Sequence, residues 1–341
     1  MNGTIPRIAV DAMGGDHAPE EIVAGAILAP NEGLGHMLVV GDEARVRPLL
    51  AGYAGSAIEV LHAPSAVAMD ANPSAALRNA DETSLGFAVN LVRDGRADAV
   101  VSAGNSGAFL AIALVRLRTI AGVARPAIAV VYPGKLGPVV VLDSGANVDC
   151  RPEWLAQFGV MGSAYARAVL NIEQPKVGII SVGEERVKGN AQTIEASRLL
   201  EASSVNFIGN VEGKDMLFTA ADVCVCDGFV GNVMLKLCEG AAALIADTVI
   251  TEIKRGGPLT KLGALLVRPA LRVVRDKLSY EAYGGAPLLG LRGNCIVAHG
   301  RANRVALCNA IRAAVAEVRE DVVGRIGELI AASDVREAKE A

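Results

Sequence analysis

Short runs of aliphatic and β-branched residues recur at positions 7–11, 37–41, 58–62, 98–102, 127–132, 139–143, 177–182, 206–209, 223–227 and 296–299. Most are separated by 10 to 25 residues whose apolar positions fall three and four apart. A strand followed by an amphipathic helix, repeated, predicts βα units around a mainly parallel sheet with helices on both faces: an α/β fold of three layers, α/β/α. Runs 127–132 and 139–143 flank Pro133-Gly134-Lys135-Leu136-Gly137, too short for a crossover helix, so they predict an antiparallel hairpin. Residues 99–115 are 17 uncharged positions, but Ser102, Asn105, Ser106 and two glycines interrupt them. A bilayer span needs about 20 apolar residues, so the stretch predicts strand, loop and helix. No linker, repeat or low-complexity block divides the chain, and one domain over residues 1–341 is expected.

With 52% hydrophobic and 21% charged residues, the composition excludes disordered, collagen-like and coiled-coil classes, and a net charge of −4 argues against general nucleic-acid binding. The chain opens Met1-Asn2-Gly3-Thr4 with no apolar signal segment, so its six cysteines are expected to be reduced thiols of a cytoplasmic protein. Cys224 and Cys226 share one face of a strand, and no Cys/His ladder surrounds them; no metal is expected. Cys150 precedes Arg151-Pro152, where a helix start lowers a thiol's pKa, against the plainer expectation of an incidental thiol.

The loops at the strand ends carry more chemistry than the strands themselves. Asp11 leads into Gly14, Gly15, Asp16 and His17; Ser102 into Asn105, Ser106 and Gly107; Asp143 into Asn147; residues 183–190 include Lys188 and Asn190; Asp227 leads to Gly231 and Asn232; and His299 to Asn303. In a parallel sheet these carboxyl-end loops gather on one edge, and glycine-bearing loops that open helices suit a bound phosphate. The alternative is that Gly and Asn are ordinary turn residues.

No Gly-x-Gly-x-x-Gly with a following acid, no P-loop and no nucleophile elbow occurs, which removes support for nicotinamide, nucleoside-triphosphate and serine-hydrolase chemistry. Lys188 sits where a helix begins, a position that disfavours a cation unless an anion is bound there. Asn105, Asn190 and Asn232 could supply neutral donors to an oxyanion; helix capping explains them equally well. Residues 254–277 carry seven basic side chains against Asp276, a local +6 that leaves −10 on the rest. Leu259, Leu262, Leu265 and Leu266 share a helical face, and Leu271, Val274 and Leu278 form another after Pro269. A basic amphipathic hairpin at about 254–280 is expected, suited to a dimer interface, an anionic membrane or an acidic partner through Lys261, Arg268, Arg272 and Arg275.

The opening Arg7-Ile8-Ala9-Val10-Asp11-Ala12-Met13-Gly14-Gly15-Asp16-His17-Ala18-Pro19 resembles the signature of the bacterial phosphate acyltransferases of phospholipid synthesis, the PlsX family. Residues 102–107, 142–150, 207–213, 226–232 and 283–290 resemble its other blocks in order, over nearly the whole chain. The resemblance implies a fold like the isocitrate and isopropylmalate dehydrogenases, a homodimer, no cofactor, and transfer of an acyl group from acyl-[acyl carrier protein] to inorganic phosphate. Phosphate is then the nucleophile, held near the thioester by loop N–H groups and Lys188, with Asn232 at the oxyanion and His17 or Asp16 positioning phosphate or relaying a proton. It also implies peripheral membrane association and delivery of the acyl phosphate to a membrane glycerol-3-phosphate acyltransferase. One block departs: after Pro73-Ser74-Ala75-Ala76-Leu77-Arg78 the family usually has a basic pair and two serines, where this chain reads Asn79-Ala80-Asp81-Glu82-Thr83-Ser84. Alternatives are a phosphotransacetylase using acyl-coenzyme A, a decarboxylating dehydrogenase and a non-catalytic membrane scaffold.

Overall fold

The computed structural model describes residues 5–218, 221–278, 284–333 and 335. The chain runs β1 (Arg7–Asp11), α1 (Glu20–Asn31), β2 (His36–Gly41), α2 (Glu43–Leu49), β3 (Ile58–His62), α3 (Pro73–Arg78), α4 (Ser84–Arg93), β4 (Ala99–Ser102) and α5 (Ser106–Leu117). It continues through β5 (Ala127–Ile128), β6 (Val130–Pro133), β7 (Pro138–Leu142), α6 (Pro152–Val169), β8 (Lys176–Ser181), α7 (Ala191–Ala202), β9 (Asn206–Glu212) and β10 (Val223–Val225). It ends with α8 (Gly228–Arg255), α9 (Pro258–Leu278), β11 (Ala286–Leu289), β12 (Asn294–Val297), α10 (Arg304–Arg319) and α11 (Val322–Ala332).

The α/β class is as the alternation requires, with the strands shared between two sheets. One has the order β3-β2-β1-β4-β12-β11-β5 and the other β6-β7-β10-β8-β9. Pairings are parallel except those of β11 with β12 and β5, and of β6 with β7. Run 127–132 breaks at Ala129: its first half closes one sheet and its second half opens the other, so a single aliphatic run serves both. The expected hairpin forms between β6 and β7, with Val131 opposite Val140. β11 is not legible in the sequence, because Pro287 and flanking glycines mask it.

Parallel strands covered on both faces read as continuous aliphatic runs, and alternate residues feed opposite layers. In β1, Ile8 and Val10 pack towards α1 and α10, while Ala9 packs with α4 and α5. In β7, Val140 and Leu142 face α6, whereas Val139 and Val141 face Val230, Met234 and Cys238 of α8. Apart from β9, which runs on to β10, the parallel strands end in loops that open helices.

The helical hairpin differs from expectation. Its arms are α8 and α9, joined at Gly256-Gly257, and α9 runs through Pro269 without ending there. Gly256 and Gly257 break the chain more effectively, because α8's last turn already ends at Arg255 and Pro258 suits a new first turn. Asp81, in the departing block, ion-pairs with Arg116 of α5 at 2.8 Å and accepts from Asn90 Nδ2 at 3.0 Å, so it ties α5 to α4. Among the described residues no helix is long and apolar enough to cross a membrane.

Candidate active site

Two loop clusters stand at the carboxyl ends of the two sheets. On the seven-stranded sheet, β1, β4 and β12 are neighbours, and their loops meet. Asp11 is buried and accepts from Ser84 Oγ at 2.6 Å, Ser102 Oγ at 2.7 Å and Met13 N at 3.2 Å. Ser102 Oγ in turn accepts from Gly104 N at 3.0 Å. Burial pushes the Asp11 carboxyl above its usual range, and the serine hydroxyls pull it back. This network draws Gly14 so close to Gly104 that a Cβ at position 14 would lie 2.8 Å from Gly104 N, which only glycine avoids. Gly15 packs over Ala103, and Asp16 N donates to Gly300 O at 2.8 Å, which joins the β12 loop to the same edge. His17 is exposed beside Glu21, whose carboxylate is held by Arg304.

On the five-stranded sheet, the loops after β7, β8 and β10 form the second cluster. Asp143, fully buried, accepts from Ile128 N, Gly145 N, Ala146 N and Asn147 N at 2.6 to 3.1 Å, and from Asn147 Nδ2 at 2.9 Å. Burial raises this carboxyl as well, against those donors. Gly228 N donates to Asn147 O at 2.7 Å, and a Cβ at Gly231 would collide with the Asp143 carbonyl, so the start of α8 lies directly on the loop. Asn232 flanks Gly145 across that seam: a Cβ at Gly145 would stand 3.7 Å from Asn232 Cβ. Gln192 of α7 donates to Cys150 O at 2.8 Å, which brings the Lys188–Asn190 loop alongside. Lys188 is exposed, its carbonyl held by Ser181 Oγ and Asn210 Nδ2.

α8 connects the clusters. His299, half-buried in the β12 loop, has its pKa lowered first by burial. Asp16, Lys236 and Glu239 also stand close enough to act on its charge. Lys236 and Glu239 lie one and two helical turns beyond Asn232, so one face of α8 leads from the second cluster to the first. Sequence reasoning missed Lys236, which pairs with Glu239 at 3.0 Å, and gave His299 no role. The signal available was the four-residue spacing from Asn232 to Lys236.

Capping decides what the expected donors can do. Asn105 caps α5 with its oxygen, and both amide hydrogens go to Met69 O and Ala71 O at 2.9 Å. Asn147 spends both on Pro126 O and Asp143. In both, the two amide hydrogens are engaged within the protein, and the side chains shape the loops. Asp227 caps α8 by accepting from Val230 N at 2.8 Å, and Asn190 caps α7 through its oxygen. Asn232 lies inside α8 and caps nothing. The loop N–H groups of residues 145–147 are likewise taken by Asp143. At the starts of α5, α7 and α8, no hydrogen bond is formed by the N–H groups of Ser106 and Gly107, of Ala191 and Gln192, and of Phe229. With Lys188, Asn232 and the Ser106 hydroxyl, they are donors on the strand-end loops and helix starts of the two sheets, of a chemistry suited to an oxyanion. The Cys150 thiol is pushed up to about 12, chiefly by burial, so the nearby helix start does not activate it. No group of three His, Cys, Asp or Glu side chains among the described residues is placed to hold a metal ion.

Residues 6–325 match the model of a family described as fatty acid synthesis protein. A phosphate acyltransferase of Moorella thermoacetica is 45% identical over 334 residues, covering 98% of each chain. One of Pelotomaculum thermopropionicum is 47% identical over 328 residues, covering 96% of this chain and 94% of the relative. The fold is shared with the EutD phosphotransacetylase from Staphylococcus aureus, at a TM-score of 0.60 and 17% identity, covering 93% of this chain and 95% of that one. It is shared also with a 4-hydroxythreonine-4-phosphate dehydrogenase from Burkholderia phymatum, at 0.52 and 15%, covering 92% and 98%. A family match over nearly the whole length, together with relatives of this identity, means that the chain belongs to the fatty acid synthesis protein family, alongside these phosphate acyltransferases.

Proposed function

We propose that this chain is a phosphate acyltransferase that moves a fatty acyl group from acyl-[acyl carrier protein] to inorganic phosphate, giving an acyl phosphate for phospholipid synthesis. The observation that supports the reading is the donor inventory of the strand-end loops: Lys188, Asn232 and helix-start N–H groups that form no hydrogen bond lie on the carboxyl-end loops of two sheets, both of which adjoin α8. Their chemistry is that of an oxyanion site, which needs no activated serine or thiol.

In the reaction, a phosphate oxygen attacks the thioester carbonyl, the carbonyl carbon becomes tetrahedral, and collapse breaks the C–S bond to release the carrier thiolate. No acyl-enzyme is needed, because the nucleophile is a substrate. Lys188 and the free N–H groups of α7 hold phosphate, so that attack is effectively intramolecular. Asn232 Nδ2 donates to the developing oxyanion, an interaction worth roughly 3 kcal/mol in comparable sites. Asp16 and His299 belong to the first cluster, where burial lowers the His299 pKa. Gly14, Gly15 and Gly107 let the first cluster's backbone approach the substrate.

The same reading gives the hairpin a role. Leu259, Leu262 and Leu266 are more than half exposed on α9, beside exposed Lys261, Arg268 and Arg272; the Arg275 side chain lies outside the described residues. Such a face suits peripheral contact with an anionic membrane, where the labile product passes to a membrane glycerol-3-phosphate acyltransferase. The exposed Leu237, Leu244 and Ile245 face of α8 suits a homodimer.

Phosphate-dependent thiol release from an acylated carrier protein tests the proposal. Release that needs phosphate and yields an acyl phosphate trapped by hydroxylamine is expected. Release independent of phosphate, or seen only with acetyl-coenzyme A, would overturn it.

A further inference from the structure

The chain's one tryptophan, Trp154 in the first turn of α6, has two guanidinium groups against its ring: Arg125 Cζ lies 5.0 Å from the ring centroid and Arg151 Cζ 5.7 Å. Both arginines are exposed. Neither pairs with a carboxylate among the described residues, although Asp149 and Glu153 are close in sequence. Arg304 and Arg116, by contrast, are neutralised by Glu21 and Asp81. The ring restrains both cationic heads while leaving their outer N–H groups to solvent.

The position matters as much as the charge. The Pro126 carbonyl, next to Arg125, accepts from Asn147 Nδ2 at 2.8 Å, and the Cys150 carbonyl, next to Arg151, accepts from Gln192 Nε2 at 2.8 Å. The pair is therefore tied to both loops that frame Lys188 and Asn232, yet none of its side chains belongs to the donor set. A thioester delivered on a flexible arm needs such a place, beside the reacting atoms and not on them.

We propose that Arg125, Trp154 and Arg151 form the docking site for the acidic face of the acyl-carrying protein. This rests on the acyl transfer proposed above and names the surface that receives its protein substrate. Two fixed cations on a chain of net charge −4 fit a few carboxylates of a folded partner; a nucleic acid would require a longer basic tract. Arginine and tryptophan are also the side chains that most often dominate protein interfaces.

Because Trp154 is the chain's sole indole, its fluorescence reports docking directly. Titration of the enzyme with a tryptophan-free holo carrier protein is expected to give a saturable change that weakens as salt rises. The Arg125→Ala/Arg151→Ala variant should keep its melting temperature and its turnover of acyl-pantetheine, while KM for the acyl-carrier thioester rises about tenfold at unchanged kcat. Arg125→Lys/Arg151→Lys, which keeps the charge and loses the planar fork, should fall between. Equal loss on both thioesters, or an unchanged carrier KM with no fluorescence response, would overturn the assignment. If the wild type shows no phosphate-dependent release at all, the reaction proposed above fails, and the titration still decides whether the surface binds the carrier.

Discussion

Asn147 donates twice to Asp143, from its backbone N at 2.6 Å and from Nδ2 at 2.9 Å. The second amide hydrogen reaches Pro126 O, so one side chain fastens the loop after β7 to the strand that leaves the other sheet. Asp143 thus folds its loop around a buried carboxylate, and the start of α8, with Asn232, sits on that loop. A carboxylate whose hydration is replaced by five N–H groups is sensitive to losing any of them.

Asn147→Ala is therefore expected to destabilise the protein by about 1 to 3 kcal/mol, since the Pro126 carbonyl loses its side-chain donor and the buried Asp143 carboxylate one of its five. Asn147→Asp should cost more at pH 7 than at pH 5, because the introduced carboxylate repels Asp143 only when both are ionised. Urea midpoints at the two pH values check this. An Asp variant equally stable at both would show that Asp143 is not charged in the folded state.

Glu317 of α10 is fully buried near Tyr165 and Cys295; its Oε1 has no hydrogen-bond partner, and burial raises its pKa to about 8. The unfolded chain loses this proton near 4.5, so between pH 4.5 and 8 the native state binds more protons than the unfolded one, and stability falls as pH rises. Glu317→Gln removes that dependence. The variant should gain on the wild type by at least about 2 kcal/mol between pH 5 and pH 7.5, read from urea midpoints. A gap that does not change with pH would mean Glu317 is ionised inside the fold.

Much of this site is legible in the chain because strand-end loops announce themselves: buried β-branched runs stop at Asp11, Ser102, Asp143 and Asp227, and small polar residues come next. Lys188 and Asn232 stand out by position alone, each just past the carboxyl end of a strand of the five-stranded sheet. The division of donors is not legible. Asn105, Asn147 and Asn232 look alike in sequence, yet only Asn232 has an amide outside the capping and loop networks, and that depends on which carbonyls the folded loops present. The two sheets are hidden for a related reason, since residues 127–133 keep one aliphatic pattern while changing partners at Ala129. Arg125 carries no signal in the sequence, because its relation to Trp154 spans 29 residues and exists only in the fold.

If Lys188 holds the attacking phosphate and Asn232 the oxyanion, their substitutions should separate kinetically. Lys188→Ala is expected to raise KM for phosphate about tenfold or more, with Lys188→Arg recovering part of it. Asn232→Ala should lower kcat about 10² to 10³-fold at little change in phosphate KM, the signature of an interaction made only in the transition state. Steady-state thiol release with varied phosphate distinguishes them. A Lys188→Ala enzyme of full kcat and unaltered phosphate KM would place the anion elsewhere.

The hairpin offers a contrast between its apolar and basic faces. Leu262 and Leu266 lie one turn apart on α9, both exposed, with Lys261, Arg268 and Arg272 around them. Burying a leucine in an acyl boundary contributes roughly 1.5 to 3 kcal/mol, and each basic residue near an anionic surface about 1 kcal/mol. Leu262→Glu/Leu266→Glu should abolish co-sedimentation with phosphatidylglycerol vesicles, and Arg268→Ala/Arg272→Ala should weaken it only at low salt. Both variants should keep the wild-type rate on soluble acyl-carrier thioester, because α9 contributes nothing to the donor set. Wild-type protein that stays in the supernatant with such vesicles, yet elutes as a dimer that Leu262→Glu/Leu266→Glu converts to a monomer, would assign the α9 face to a second copy of this chain in place of lipid.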